Sequence, residues 1–172
     1  MIKKQTALGV IASLGVAFVA LPASAQTAKA TLKDQSGKEV GRVELVEQSH
    51  GVLLKLTLKG VPAGERAFHI HAVGKCEAPF TSAGGHFNPD NKKHGSGNPE
   101  GAHAGDMPNL KIPASGELTI EVPNHAITLA KGKPNSVFDA DGSAIVIHAG
   151  ADDYKTDPTG NAGDRIVCGV IE

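Results

Sequence analysis

After Gln26, apolar and polar residues alternate with a period of two. Ala30 and Leu32, then Val40, Val43 and Leu45, then Val52, Leu54, Leu56 and Leu58 recur against polar partners. That is the signature of antiparallel strands with one buried face. Ser36–Gly37 and His50–Gly51 supply the turns between them. Further strands are predicted over Ala67 to Val73, Leu118 to Val122, Ala144 to His148 and Arg165 to Val170, with a short one within Gly105 to Ile112. No stretch of a dozen residues carries a 3.6-residue apolar stripe. The pattern predicts an all-β sandwich or barrel of about eight antiparallel strands.

Two segments break the alternation. Gly74 to Gly101 is rich in Gly, Pro, Asn and Lys, and Gly150 to Asp164 carries Asp152, Asp153, Asp157, Pro158, Gly160, Asn161 and Gly163. Loops of that length are uncommon unless functional or disordered, and both of these begin or end near histidines.

Composition narrows the function classes. A chain of 172 residues, 40% hydrophobic and 20% charged, supports one domain with an aliphatic core. Aromatic residues make up only 3%, too few for the stacking platforms of single-stranded nucleic-acid binders. The formal net charge of −1, with no basic patch, also excludes nucleic acid as a partner.

The first 25 residues read differently from the rest. Lys3 and Lys4 precede an uncharged, mostly apolar run from Ala7 to Leu21, then Pro22 and the small-residue pattern Ala23–Ser24–Ala25. This predicts a secretory signal peptide cut between Ala25 and Gln26, leaving residues 26–172 as the domain with no membrane attachment. An uncleaved anchor is the alternative, but the apolar run is short for a bilayer span. Cleavage removes two Lys and no acid, so the net charge moves from −1 to −3. Export implies an oxidising compartment, where Cys76 and Cys168, the two cysteines of the chain, are expected to pair.

Eight histidines then need an account. His69 and His71 flank Ile70 in an apolar strand, and alternation puts both imidazoles on one face. The first loop delivers His86 and His94, and His103 and Asp106 follow close after. His148 closes the strand that precedes the second loop. Three imidazoles and a carboxylate suit tetrahedral zinc. A solvated, His-rich loop is the plain alternative. Six His and one Asp give seven candidate ligands, whereas two four-coordinate sites need eight, so one imidazole would serve both through its two nitrogens. His50 and His125 read as solvent-exposed, and Asp139–Ala140–Asp141–Gly142 as a turn.

The stretches Phe68–His69–Ile70–His71, Gly84 to Pro89, His94–Gly95, His103 to Asp106, Ala144 to His148 and Gly160 to Val170 together resemble the copper/zinc superoxide dismutases of the bacterial, exported type. The likeness runs in order along essentially the whole chain after residue 25. It implies a Greek-key β-barrel or sandwich with two long functional loops, one copper and one zinc per subunit, and superoxide as substrate. Position by position, it implies His69, His71, His86 and His148 as copper ligands. It likewise implies His86, His94, His103 and Asp106 as zinc ligands, with His86 as the bridge. Arg165 matches the cationic residue at the copper channel and with His86 makes up the catalytic pair. Asp152 matches the carboxylate that orients one imidazole of each metal, Cys76 and Cys168 match the family disulfide, and Thr159 matches a position that narrows the channel.

That resemblance implies dismutation of superoxide to oxygen and hydrogen peroxide in antioxidant defence, in the periplasm, with a homodimer as the commonest assembly. The alternative is a non-catalytic metal-binding or copper-delivery protein on the same scaffold. It is disfavoured because all four copper positions and Arg165 are present. Charges in the second loop depart from a simple anion guide: Lys155 sits among several Asp, and Asp164 precedes Arg165. Lys92 and Lys93 in the first loop are the candidates to compensate.

Overall fold

The computed structural model describes residues 25–172; the segment read as a signal peptide lies almost wholly outside them. Nine strands follow in chain order: β1 (Thr27–Asp34), β2 (Glu39–Gln48), β3 (Gly51–Lys59), β4 (Gly64–Arg66), β5 (Phe68–His71), β6 (Leu110–Ile112), β7 (Glu117–Asn124), β8 (Ala144–His148) and β9 (Arg165–Val170). Seven form one antiparallel sheet in the order β5-β8-β9-β1-β2-β3-β7, and β4 pairs with β6 in a separate ribbon. Each ribbon strand immediately precedes an edge strand of the sheet in chain order, β4 before β5 and, across a short turn, β6 before β7. The ribbon therefore links the two edges of a curled sheet, as the expected Greek-key architecture requires.

The alternation read from the sequence is the burial pattern. Ala28, Ala30 and Leu32 of β1, Val43 and Leu45 of β2, and Val52, Leu54, Leu56 and Leu58 of β3 are buried in one aliphatic core. Val40 lies three positions from Val43, which breaks the period of two, yet both point inward. A bulge reconciles them: Leu32 pairs with Gly41 but Lys33 pairs with Glu39, so Val40 is the extra residue and the strand changes phase around it.

Strand lengths differ from the sequence expectation near the loops. The strand predicted from Ala67 to Val73 is confined to Phe68–His71, and that within Gly105 to Ile112 to Leu110–Ile112. In both places the N–H groups of the residues left out of the strand turn to the loops: Ala67 N–H donates to Gly150 O, Ala72 N–H to Gly85 O, Val73 N–H to Ala83 O and Gly105 N–H to Phe87 O. A third long connection, residues 125–143, escaped the sequence reading. It is not polar filler, because Ile127, Leu129 and Val137 are buried in the core. The Glu47 carboxylate ties it down by accepting from Thr128 Oγ1 and Leu129 N–H.

β8 is buried on both faces. Ile145 and Ile147 enter the main core, whereas Ala144 and Val146 pack with Phe80, Ala83 and Cys168 into a second, smaller apolar cluster under the first loop. Cys76 packs against that cluster and is bonded to Cys168. The disulfide thus ties the loop to β9 across 92 residues of sequence. Releasing so long a loop by Cys168→Ser is expected to lower the stability of the metal-free protein by about 4 kcal/mol, read as a reduced urea midpoint. An unchanged midpoint would show that the small apolar cluster holds the loop without the cross-link.

Candidate metal centre

The site grows from β5. Phe68 and Ile70 enter the core, so alternation turns His69 and His71 to the opposite face, where both are also fully buried. The first loop covers them by lying along the open edge of β5. Phe87 N–H donates to Ile70 O, Ile70 N–H to Gly105 O, and Gly105 N–H to Phe87 O. This sets His86 opposite His71 and Asp106 opposite His69. Only glycine allows so close an approach at 105, since a Cβ there would lie 2.2 Å from the Ile70 carbonyl oxygen.

The first group comprises His69, His71, His86 and His148, with ligand atoms within 4.8 Å of one another. Backbone carbonyls fix two of its tautomers. His71 Nδ1 lies 2.9 Å from Gly84 O and His148 Nδ1 3.2 Å from Gly163 O. A carbonyl only accepts, so each ring donates from Nδ1 and, when neutral, keeps a lone pair on Nε2. Those two Nε2 atoms face each other at 3.4 Å. His69 donates from Nε2 to Asp152 Oδ2 at 2.7 Å, and its Nδ1 is buried with no hydrogen-bond partner.

Burial keeps these rings neutral. It pushes His71 down to about 2 despite the Gly84 hydrogen bond, and His148 down to about 3 with help from neighbouring imidazoles. It brings His69 down to about 4, with the Asp152 hydrogen bond offsetting part of the shift. Converging lone pairs without donors are costly in a dry site until a cation takes them. Four imidazole nitrogens are a donor set suited to copper.

The second group is His86, His94, His103 and Asp106. Asp106 Oδ2 is occupied by the N–H groups of Gly95 and His103, at 2.8 and 2.9 Å. Its Oδ1 faces the Nδ1 atoms of His86, His94 and His103 at 2.9, 3.0 and 3.3 Å. One oxygen cannot accept well from three rings at once. In addition, the Nδ1 atoms of His86 and His103 lie only 3.3 Å apart. A divalent cation among the four atoms resolves both conflicts, and three imidazoles with one carboxylate is a zinc donor set. Burial raises the Asp106 carboxyl, but the His86 hydrogen bond and the Gly95 N–H outweigh it and hold it well below the usual carboxylate range. Burial also lowers His103, with Asp106 partly opposing it.

His86 is common to both groups. Its Nδ1 is committed to the Asp106 side, which leaves Nε2 for the first group.

Asp152 joins the groups from behind. Its Oδ2 accepts from His69 Nε2 and its Oδ1 from His94 Nε2 at 2.9 Å. Burial raises this carboxyl, yet the His69 and His94 hydrogen bonds prevail and hold it below the usual carboxylate range. His69, His94 and Asp152 also converge as a third trio, but their facing atoms are already hydrogen-bonded to one another. The trio orients the two rings. Gly160, at φ +64°, lines it so closely that a Cβ would meet Asp152 Oδ1 at 2.1 Å and His94 Nε2 at 2.6 Å.

Arg165 sits on β9 beside the first group. Its Nη1 donates to Phe80 O and its Nη2 to Gly84 O, both at 2.7 Å. Gly84 O also accepts from His71 Nδ1, so guanidinium and imidazole share one anchor. Desolvation lowers the pKa of the half-buried guanidinium, and the group remains a cation. Two of its five N–H donors are used in these bonds.

The other candidates lie elsewhere. His50 and His125 are exposed, as expected, with His125 Nδ1 against His50 O. Thr159 is exposed in the second loop, its N–H bonded to Thr156 O. Lys93 is paired with Asp157 at 3.6 Å and Lys92 stands 4.0 Å from Asp90. Lys93 is thus offset by an acid of the second loop. The carbonyls of Gly84 and Gly163, which set the ring tautomers, had no signal in the sequence because backbone acceptors are independent of residue type. Asp157, whose Oδ1 accepts from His94 N–H at 2.7 Å, was visible there only as one of several acids.

A protein-family model described as copper/zinc superoxide dismutase matches residues 39–171. Superoxide dismutase [Cu-Zn] 1 of Aquifex aeolicus is 53% identical over 145 residues, spanning 83% of this chain and 86% of that protein. The crystal structure of a double mutant of a superoxide-dismutase-like protein from Bacillus subtilis matches with a TM-score of 0.81 at 43% identity, over 83% of this chain and 95% of that one. Cu/Zn superoxide dismutase from Brucella abortus matches with a TM-score of 0.69 at 31% identity, over 86% and 100%.

The lowered imidazole values predict the acid behaviour of the metal-free protein. Below the ordinary histidine value of about 6.5, the unfolded chain binds more protons than the folded one, so stability falls as the pH falls. For His69, held at about 4, this loss is on the order of 3 kcal/mol between about pH 7 and pH 4. Urea midpoints of chelator-treated protein should drop across that window, and a flat or rising midpoint would contradict the burial of neutral rings.

Proposed function

The chain belongs to the copper/zinc superoxide dismutase family, and on that premise we propose that it is a superoxide dismutase converting two superoxide anions and two protons to oxygen and hydrogen peroxide. The observation that carries the reading is His86, one imidazole belonging to two four-ligand groups. His69, His71, His86 and His148 would hold copper, and His86, His94, His103 and Asp106 would hold zinc. Copper there supplies the electron transfer by alternating between Cu(II) and Cu(I), while redox-inert zinc supplies a fixed charge.

The chain's own residues do the rest. Asp152 holds the His69 and His94 rings through their Nε2–H groups, so that Nδ1 of each faces its metal position. Gly84 O and Gly163 O do the same for His71 and His148 from the Nδ1 side. His86 Nε2 is the atom that takes up a proton and passes it to the departing peroxide, while its Nδ1 stays with the Asp106 group. Arg165 offers its remaining N–H donors to a small anion. A guanidinium held by two carbonyls beside the first group favours turnover over mere metal storage, since a buffer has no need of an anion guide.

Protein loaded with both metals is expected to dismute superoxide. His148→Ala is expected to lose copper and activity while keeping most of its zinc. Full metal content without dismutation would overturn the enzymatic reading in favour of a metal-binding or copper-delivery role. Equal loss of both metals in His148→Ala would overturn the partition of ligands.

The proposal extends to the first 25 residues as a signal peptide for export to the periplasm, which the Cys76–Cys168 disulfide supports. In a Gram-negative host, the periplasmic fraction should contain protein beginning at Gln26. Retention of an uncut chain in the cytosol would contradict export.

A further inference from the structure

Asp152 can orient two rings only if its own backbone is held. Two residues outside the metal groups converge on it. Asn109 Oδ1 accepts from Asp152 N–H at 2.8 Å, and Asn109 Nδ2 donates to Asp152 O at 2.9 Å, so one carboxamide clamps both backbone groups of a single residue. Nδ2 also stands 3.4 Å from Glu65 Oε1. Asn109 is itself anchored: it directly precedes β6, whose Leu110 is buried in the core, and its N–H donates to the Tyr154 hydroxyl at 2.8 Å.

Tyr154 closes the arrangement. Its backbone has φ +62°, a conformation unusual for a side chain of that size. Here the Tyr154 N–H donates to Asp152 Oδ1 at 2.6 Å, and its carbonyl accepts from Gly97 N–H in the first loop at 2.9 Å. One residue therefore connects the first loop, the entrance to β6 and the orienting carboxylate.

We propose that Asn109, supported by Tyr154, is the positioning residue that fixes Asp152 and thereby the Nε2–H tautomers of His69 and His94. The inference rests on the reading of those rings as metal ligands given above. Asn109 touches neither ligand set's donor atoms; it acts through Asp152. Loss of such a support is expected to weaken metal binding on the order of 10–100-fold, the scale for partners that orient ligands.

The test compares the unsubstituted protein with Asn109→Ala, Tyr154→Phe and, as a control, Leu45→Ala in the core on β2. Zinc affinity is measured by competition with a chelator, the visible absorption of Co(II) placed in the zinc position is recorded, and the melting temperature of the metal-free form is taken. Asn109→Ala should bind zinc at least about tenfold more weakly and shift the Co(II) bands. Tyr154→Phe, which removes only the acceptor for Asn109 N–H, should move both in the same direction by less. Leu45→Ala should melt lower with affinity and spectrum unchanged. A merely structural Asn109 would behave like Leu45→Ala, and that result overturns the proposal. If Asn109→Ala does not fold, an unchanged affinity and spectrum in Tyr154→Phe overturns it instead. Failure of the unsubstituted protein to take up zinc would overturn the underlying functional reading rather than this inference alone.

Discussion

The Nε2 atoms of His71 and His148 face each other at 3.4 Å because carbonyls on their far sides hold the ring protons at Nδ1. Beside them, His69 Nδ1 is buried without a partner for the corresponding reason, its proton being held at Nε2 by Asp152. On the other side of His86, three Nδ1 atoms crowd one oxygen of Asp106. Water-exposed rings would relax by rotating or protonating, but burial denies both. The folded chain thus presents two convergent donor sets suited to cations, and the loops, the disulfide and the second apolar cluster serve to hold them in place.

This explains why the scaffold is built as it is. A strand buried on both faces, β5, presents apolar residues to the core and imidazoles to the loop, and that loop with the residues just after it covers the strand's open edge while delivering His86 and Asp106. The first loop has few apolar residues, of which Phe80, Ala83 and Phe87 are buried. It is pinned by Phe80 and Ala83 against β8, by Cys76 bonded to Cys168, and by polar bonds from the second loop through Asp152 and Asp157. Metal binding would add to folding stability in the same coin, since ligands preorganised only in the folded state couple the two equilibria.

Much of this was legible in the sequence because it depends on residue type and period. Alternation located most of the strands of the main sheet, and the number of candidate ligands, six histidines and one aspartate, required a shared member for two four-coordinate sites. What was not legible depends on geometry that residue type does not encode. The carbonyls of Gly84 and Gly163 set tautomers without any side chain. Val40 points inward only because of a bulge. Residues 125–143 carry Ile127 and Leu129 into the core from what reads as a loop, held there by Glu47 from a distant strand. Asn109 and Tyr154 look ordinary until folding brings them to Asp152.

The central claim is that His86 serves both positions, through Nδ1 with His94, His103 and Asp106 and through Nε2 with His69, His71 and His148. Diffraction from crystals of the protein loaded with copper and zinc, collected at the absorption edge of each metal, tests it most directly. The account predicts two anomalous peaks, one per metal, with the His86 ring between them and one of its nitrogens directed at each. Two separately ligated metals with His86 bound to only one of them, or a single metal coordinated by the whole cluster, would contradict it.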